Sequence, residues 1–157
     1  MKTKTMLSGY IQTLLLLLAF AVSQHLGQAA ERTNTNRGTT QMRIKIGSSN
    51  FVATLDDNPT TAAFKAMLPL TVEMQELNGN EKLYRLPNKL PTKSSNPGKI
   101  ENGDLMLYGA NTVVLFYKSF PTSYSYTRLG RINDPAGLAS AVGSGNVTVT
   151  FELAGKP

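Results

Sequence analysis

The sequence predicts a mainly β protein, a closed eight-stranded antiparallel barrel with one or two short capping helices. Three observations carry this. Apolar and polar residues alternate at period 2 in one short segment after another, as on half-buried strands. Turn residues punctuate those segments, among them Asn78-Gly79-Asn80 and Gly109-Ala110-Asn111. About eight such strands fall within roughly 112 residues, and an open sheet of that size would expose two edges, whereas a barrel has none.

The elements follow in order. Residues 42–46 (Met-Arg-Ile-Lys-Ile) alternate apolar with basic, and residues 51–55 return across a Gly47–Asn50 turn to make a hairpin. Asp56, Asp57, Asn58 and Pro59 break the strand. Residues 60–68 form the best helix candidate. Asn58 suits the N-cap, Pro59 the first turn, and Ala63, Phe64, Met67 and Leu68 share one face. So short a helix persists only by docking that face. Phe64 and Met67 are therefore expected to cover one mouth of the barrel. Phe116 and Phe151 are expected on strands whose inward side chains fill it. Residues 70–77 and 82–86 are the next strands, and residues 87–102, with three Pro, are a long surface loop. Residues 104–108 and 112–117 form a hairpin. Residues 113–117 are apolar throughout, so this strand is expected to be covered on both faces. Residues 126–132 are another strand, residues 135–142 a short helix, and Val147, Val149 and Phe151 alternate with polar residues in the closing strand.

Composition narrows the chemistry. The 157 residues suit one domain, with no Cys, no Trp and a single His, His25. Residues 1–29 read as a cleavable signal peptide. Lys2 and Lys4 form a positive start, five consecutive Leu lie in the apolar stretch 14–22, and Gly27 and Ala29 suit a cut after Ala29. The apolar run is too short for a bilayer, which needs about 20 residues. Export to the periplasm or the extracellular space is expected, and His25 leaves with the signal. The remaining chain then has no thiol nucleophile, no disulfide, no imidazole base and no usual zinc or haem ligand. Neither a cofactor nor a metal site is expected. Residues 30–41 form a disordered leader, 42–153 the barrel domain and 154–157 a tail.

Without residues 1–29, 14 Lys and Arg face 10 Asp and Glu, a net charge of +4. The excess is spread out, with no basic run among aromatics, so no nucleic-acid partner is expected. No membrane association after cleavage is expected, and a monomer is. Asp56 and Asp57 lack the spaced oxygen ligands of a calcium loop and read as turn residues. Gly143-Ser144-Gly145 opens no long helix and makes a poor phosphate cradle. Asn146-Val147-Thr148 has the form of a glycosylation triplet. Tyr108, Phe116, Tyr117, Phe120, Tyr124 and Tyr126 gather within 19 residues and suit an amphipathic groove, with 120–126 on a loop.

A set of short motifs runs in order along the chain. Met42-x-Ile-x-Ile46 leads to Ala53-Thr-Leu55, Asp57-Asn-Pro-Thr60 and Leu68-Pro-Leu70. Gly79-Asn-Glu-Lys82, Leu86-Pro87, Gly103-Asp-Leu105, Leu115-Phe-Tyr117, Leu129-Gly-Arg-Ile132 and the final Val-x-Val-x-Phe-Glu strand complete it. This ordered set resembles the bacterial cyclophilin-like family. The resemblance implies a cyclophilin-type barrel. It also matches Lys82-Leu-Tyr-Arg-Leu-Pro87 to the segment bearing the catalytic Arg of prolyl isomerases, with Arg85 as the cation and Phe116 as a pocket wall. Such an Arg polarises the prolyl amide as it twists over a barrier of ~18–20 kcal/mol. Those enzymes continue with a Gln-containing segment, where this chain has Asn88-Lys-Leu-Pro-Thr-Lys93, and their Trp and His have no counterpart. The expected function is binding of a peptide or small molecule without efficient catalysis. Tyr84, Phe116, Phe120, Tyr124 and Tyr126 would form the groove. The alternative is weak peptidyl-prolyl isomerisation through Arg85. An ordinary reading of Arg85 is a solvent-facing strand residue paired with Glu81 or another acid.

Mass spectrometry of the exported protein should find Ala30 as the first residue, or failing that Glu31 or Gln24. An intact Met1 in the exported pool would refute cleavage.

Overall fold

The computed structural model describes residues 40–155. The expected signal peptide and residues 30–39 of the expected leader lie outside the described residues. The elements run β1 (Gln41–Ile46), β2 (Ser49–Leu55), α1 (Pro59–Lys65), β3 (Leu70–Leu77), β4 (Glu81–Arg85), β5 (Lys99–Ile100) and β6 (Asp104–Tyr108). They continue with β7 (Thr112–Phe116), β8 (Phe120–Pro121), β9 (Tyr126–Ile132), α2 (Leu138–Val142) and β10 (Val147–Leu153). Eight strands close into an antiparallel barrel in the order β1-β10-β3-β4-β7-β6-β9-β2, with β2 returning to β1. The other two, β5 and β8, form a separate ribbon.

Alternation builds the interior. Met42, Ile44 and Ile46 of β1 are buried while Arg43 and Lys45 are exposed, and β2 and β10 contribute Phe51, Ala53, Leu55, Val149 and Phe151 to the same cluster. Thr40 and Gln41, expected in the leader, belong to the barrel. Leu55 N–H donates to the Thr40 carbonyl at 2.9 Å, and Gln41 pairs with Thr54.

Helix α1 closes one mouth. Asn58 caps it by accepting from Thr61 N–H at 2.8 Å, and Pro59 occupies the first turn. Phe64 is fully buried and meets Phe151 edge-on at 5.8 Å between ring centroids, with Met67 packed beside the cluster. The helix is shorter than expected and ends at Lys65. Met67 N–H turns back to the Phe64 carbonyl at 3.0 Å ahead of Pro69. Leu138 and Val142 of α2 join the core cluster near the other mouth.

The seam between β2 and β9 completes the closure with three residue pairs, Ala53 to Ile132, Thr54 to Arg131 and Leu55 to Gly130. A Cβ at Gly130 would overlap the Thr54 carbonyl oxygen and stand 3.0 Å from the Leu55 Cα, so the strands meet only over a glycine. On its other edge β9 carries a bulge. Leu105 pairs with Gly130 but Met106 pairs with Arg128, which leaves Leu129 as the extra residue. The bulge lets Leu129 and Ile132, three apart, both face the interior. Residues 87–98 run over the surface as expected, exposed except for the buried Leu90, yet they are pinned. Leu90 N–H bonds the Ala110 carbonyl at 2.8 Å, and Ser95 and Tyr126 exchange two backbone bonds at 2.9 and 3.0 Å. The expected loop 87–102 also contains a short strand, β5.

Phe64→Ala should lower stability by about 3–5 kcal/mol through the cavity it opens. Gly130→Ala should cost about 1–3 kcal/mol by forcing the seam apart. Arg85→Ala should stay within about 0.5 kcal/mol. Urea midpoints of the three variants check this ordering, and equal shifts for Phe64→Ala and Arg85→Ala would overturn it.

Candidate functional site

The barrel's outer face over β4, β7, β6 and β9 carries an apolar cluster of its own, against the period-2 expectation for strands facing water. Along β7, Val113, Leu115 and Tyr117 enter the interior cluster, while Val114 and Phe116 join a second cluster with Ile100, Met106 and Tyr126. The β5–β8 ribbon covers part of this outer cluster. Ile100 is fully buried there and Phe120 packs on it. Val113 to Tyr117 are therefore buried on both sides, as the unbroken apolar run implied.

Five rings run in series across this face. Tyr124 meets Tyr108 at 6.1 Å, Tyr108 meets Tyr126 at 5.7 Å, Tyr126 meets Phe116 at 5.5 Å and Phe116 meets Phe120 at 5.8 Å. Three of the four contacts are edge-to-face, the arrangement ring quadrupoles favour. One end of the series is accessible, with Tyr124 61% and Tyr108 46% exposed, while Tyr126 and Phe116 further along it are buried. Exposing large rings to water is costly, which makes this face a candidate contact surface.

Beside this ladder lies a groove of about 340 Å³, at the low end of the size range of small-ligand sites. Leu83 and Val114, paired in register across β4 and β7, form its apolar floor. Phe120, Tyr124, Tyr126 and Tyr108 form one wall, and the β3–β4 turn with Asn78 and Asn80 forms the other. Two charges line it as well, Glu81 and Arg85, spaced with Leu83 at positions i, i+2 and i+4 of β4. Among the described residues neither has an ion-pair partner or a side-chain hydrogen bond. Burial raises the Glu81 pKa, and the Glu76 carboxylate raises it further. Tyr126 is raised too, first by burial and then by the negative charge of Glu81. The Asn80 side-chain oxygen is buried without a partner on the same rim.

The structure brings Arg85, Phe120, Tyr124 and Tyr126 together in this groove. Phe116 lies beneath it and supports Phe120 and Tyr126 rather than walling it. Tyr84 does not belong to the site. It alternates to the other side of β4 and packs against the interior cluster. The Arg85–Glu81 pair considered from sequence is not formed, because side chains four apart on one strand face are about 13 Å apart at Cα. Sequence reasoning missed Glu81, Leu83 and Val114 as groove residues. The Glu81-x-Leu83-x-Arg85 spacing was the available signal, and it needed only the knowledge that Arg85 faces outward.

A second polar arrangement sits at a barrel rim. Lys82, inward on β4, is completely buried. Its ammonium donates to Glu76 Oε2 and to the carbonyls of Gly143, at 2.9 Å, and Gly145. The Tyr117 hydroxyl donates to the same Glu76 carboxylate, 2.9 Å from Oε2. Three donors and three acceptors thereby satisfy a charge that would be prohibitive alone. Burial pushes Glu76 up, but bonds from Lys82, Tyr117 and Gly79 N–H prevail and hold its pKa low. The Tyr117 phenol is pushed up to about 12, by burial and by its bond to Glu76. Every ammonium proton is engaged, so this arrangement is a fastening for the α2–β10 turn and presents no free group to a ligand. Among the described residues no cluster of three or more His, Asp or Glu could hold a metal ion, and no helix is long and apolar enough to cross a membrane.

Comparison with known proteins agrees with this geometry. A model of the cyclophilin-like family matches residues 44–152. The solution structure of the hypothetical protein AF2241 from Archaeoglobus fulgidus is similar in fold. Its TM-score is 0.52 at 20% identity over 74% of this chain and 95% of that one. No curated protein matches.

The raised Tyr117 phenol bears on alkaline stability. A group whose folded pKa exceeds its unfolded value contributes stability that is complete below pH 10 and is lost as pH rises through about 12. The urea midpoint should therefore fall between pH 10 and pH 12, and Tyr117→Phe should reduce that fall, the raised Tyr126 phenol acting in the same sense. On the acid side Glu76 and Glu81 act in opposite senses, so the alkaline limb is the diagnostic one. An identical alkaline decline in Tyr117→Phe would show that the phenol is not its source.

Proposed function

The chain belongs to the cyclophilin-like family, and from that premise we propose that it is an exported binding barrel whose outer groove takes an extended peptide segment. The single observation that carries this is the accessible ring ladder beside an apolar floor. It is a rigid surface with large contact area and little side-chain entropy to lose. Leu83 and Val114 suit an apolar or prolyl side chain, and the tyrosine hydroxyls suit its backbone. Export rests on the character of residues 1–29 and places the groove in the periplasm or outside the cell.

The segment after Arg85 supports binding over efficient catalysis. In prolyl isomerases it lines the proline pocket. Here Leu86 and Leu90 turn into the barrel core and leave Arg85 without that wall. The groove holds no thiol or imidazole for covalent or acid–base chemistry. A second reading, weak prolyl isomerisation, is favoured by one observation: Arg85 keeps its donors unpaired at the groove's edge. A guanidinium there could stabilise a twisted prolyl amide.

Titration of the isotope-labelled full chain with proline-containing peptides should shift the resonances of Leu83, Val114 and Tyr126 together. Shifts scattered over the surface would remove the groove as the binding site. In a protease-coupled prolyl assay the rate should equal that of buffer. A rate above buffer that Arg85→Ala abolishes would instead establish the second reading.

A further inference from the structure

The groove is apolar along its floor and carries one isolated charge of each sign. Glu81 and Arg85 occupy one face of β4 with Leu83 between them. On an extended strand their Cα atoms stand about 13 Å apart, the separation between residues i and i+4 of any extended peptide. The charges cannot neutralise each other across that span. Among the described residues no other charge pairs with either of them, and the nearby Glu76 is engaged by Lys82. Glu81 is only partly exposed and Arg85 is exposed, so one end of the groove demands a cation and the other an anion.

We propose that the occupant is an extended peptide carrying a basic side chain and an acidic side chain four residues apart, with an apolar residue midway. The basic group pairs with Glu81, the acidic group with Arg85, and the central side chain rests on Leu83 and Val114. In an extended segment side chains i, i+2 and i+4 point the same way, so all three contacts are made at once. Burial of the Glu81 carboxyl makes its pairing the more selective of the two, since a poorly hydrated charge gains most from a partner. This rests on the peptide-binding reading of the same groove.

Four blocked pentapeptides test it with the full chain at low salt: Lys-Ala-Pro-Ala-Glu and its counterparts ending in Lys and Lys, Glu and Glu, or Ala and Ala. Affinities are read from the Leu83 and Val114 methyl shifts. The mixed-charge peptide should bind at least about fivefold tighter than the other three, the effect of one or two well-made surface ion pairs. Glu81→Lys should transfer the preference to the Glu and Glu peptide, and Arg85→Glu to the Lys and Lys peptide. Equal affinities for all four, with methyl shifts, would overturn the charge reading and leave the groove a binding site. Absence of methyl shifts with every peptide would overturn both. A dimer of the free protein in sedimentation that Glu81→Lys dissociates would assign the groove to a second copy and overturn the proposal.

Discussion

The contact between Gly130 and the Thr54–Leu55 backbone is the constraint on which the barrel depends. Three residue pairs join β2 to β9, and they are the last link in a ring of eight strands. A side chain at that point would hold the two backbones apart, and an unclosed sheet would present two unpaired edges. The chain has no cysteine, so no covalent bond can substitute for the seam. Closure also decides where function can reside. The interior is filled by side chains, which leaves the outer face as the only place for a groove over β4 and β7.

The two ends of the barrel are finished by different physics. At one, Phe64 lies on Phe151, and the gain is apolar surface removed from water. At the other rim, Lys82, Glu76 and Tyr117 form a polar fastening to the Gly143 and Gly145 carbonyls. An ion pair of this kind contributes little net stability compared with a well-packed apolar substitute. Its value lies in direction. The carbonyls must point at one ammonium, so the turn before β10 is held in one position, whereas an apolar lid tolerates small displacements.

Much of this architecture was legible because alternation and turn chemistry are local. β1 and β10 could be placed from period 2 alone, β3 and β6 from the turns that follow them, and the Asn58-Pro59 start of α1 from its capping chemistry. What was not legible is the phase of each pattern relative to the core. In β4 the sequence Glu-Lys-Leu-Tyr-Arg has no apolar stripe to reveal its inner face. Lys82 and Tyr84 turn inward there while Leu83 turns outward, against hydrophobic expectation. Both inversions have long-range causes. Lys82 is accepted inside because Glu76 and two distant carbonyls receive it, and Leu83 is tolerated outside because the groove shelters it. The β5–β8 ribbon, of two residues per strand, is too short to leave a periodic signal. Without it Phe116 reads as interior core instead of the centre of an outer cluster.

The register of β1 against β10 governs when the molecule can come into being. Met42 pairs with Leu153, and Ala154 N–H bonds the Gln41 carbonyl at 3.0 Å, so the first barrel strand waits for the last. On a ribosome the hairpins can form as they emerge, but the ring stays open until the final strand has been released. Throughout that interval β1 offers an unpaired edge, and the loop-closure entropy of more than a hundred residues opposes its capture. Completion of the fold is therefore set by its C-terminal strand and not by any local element.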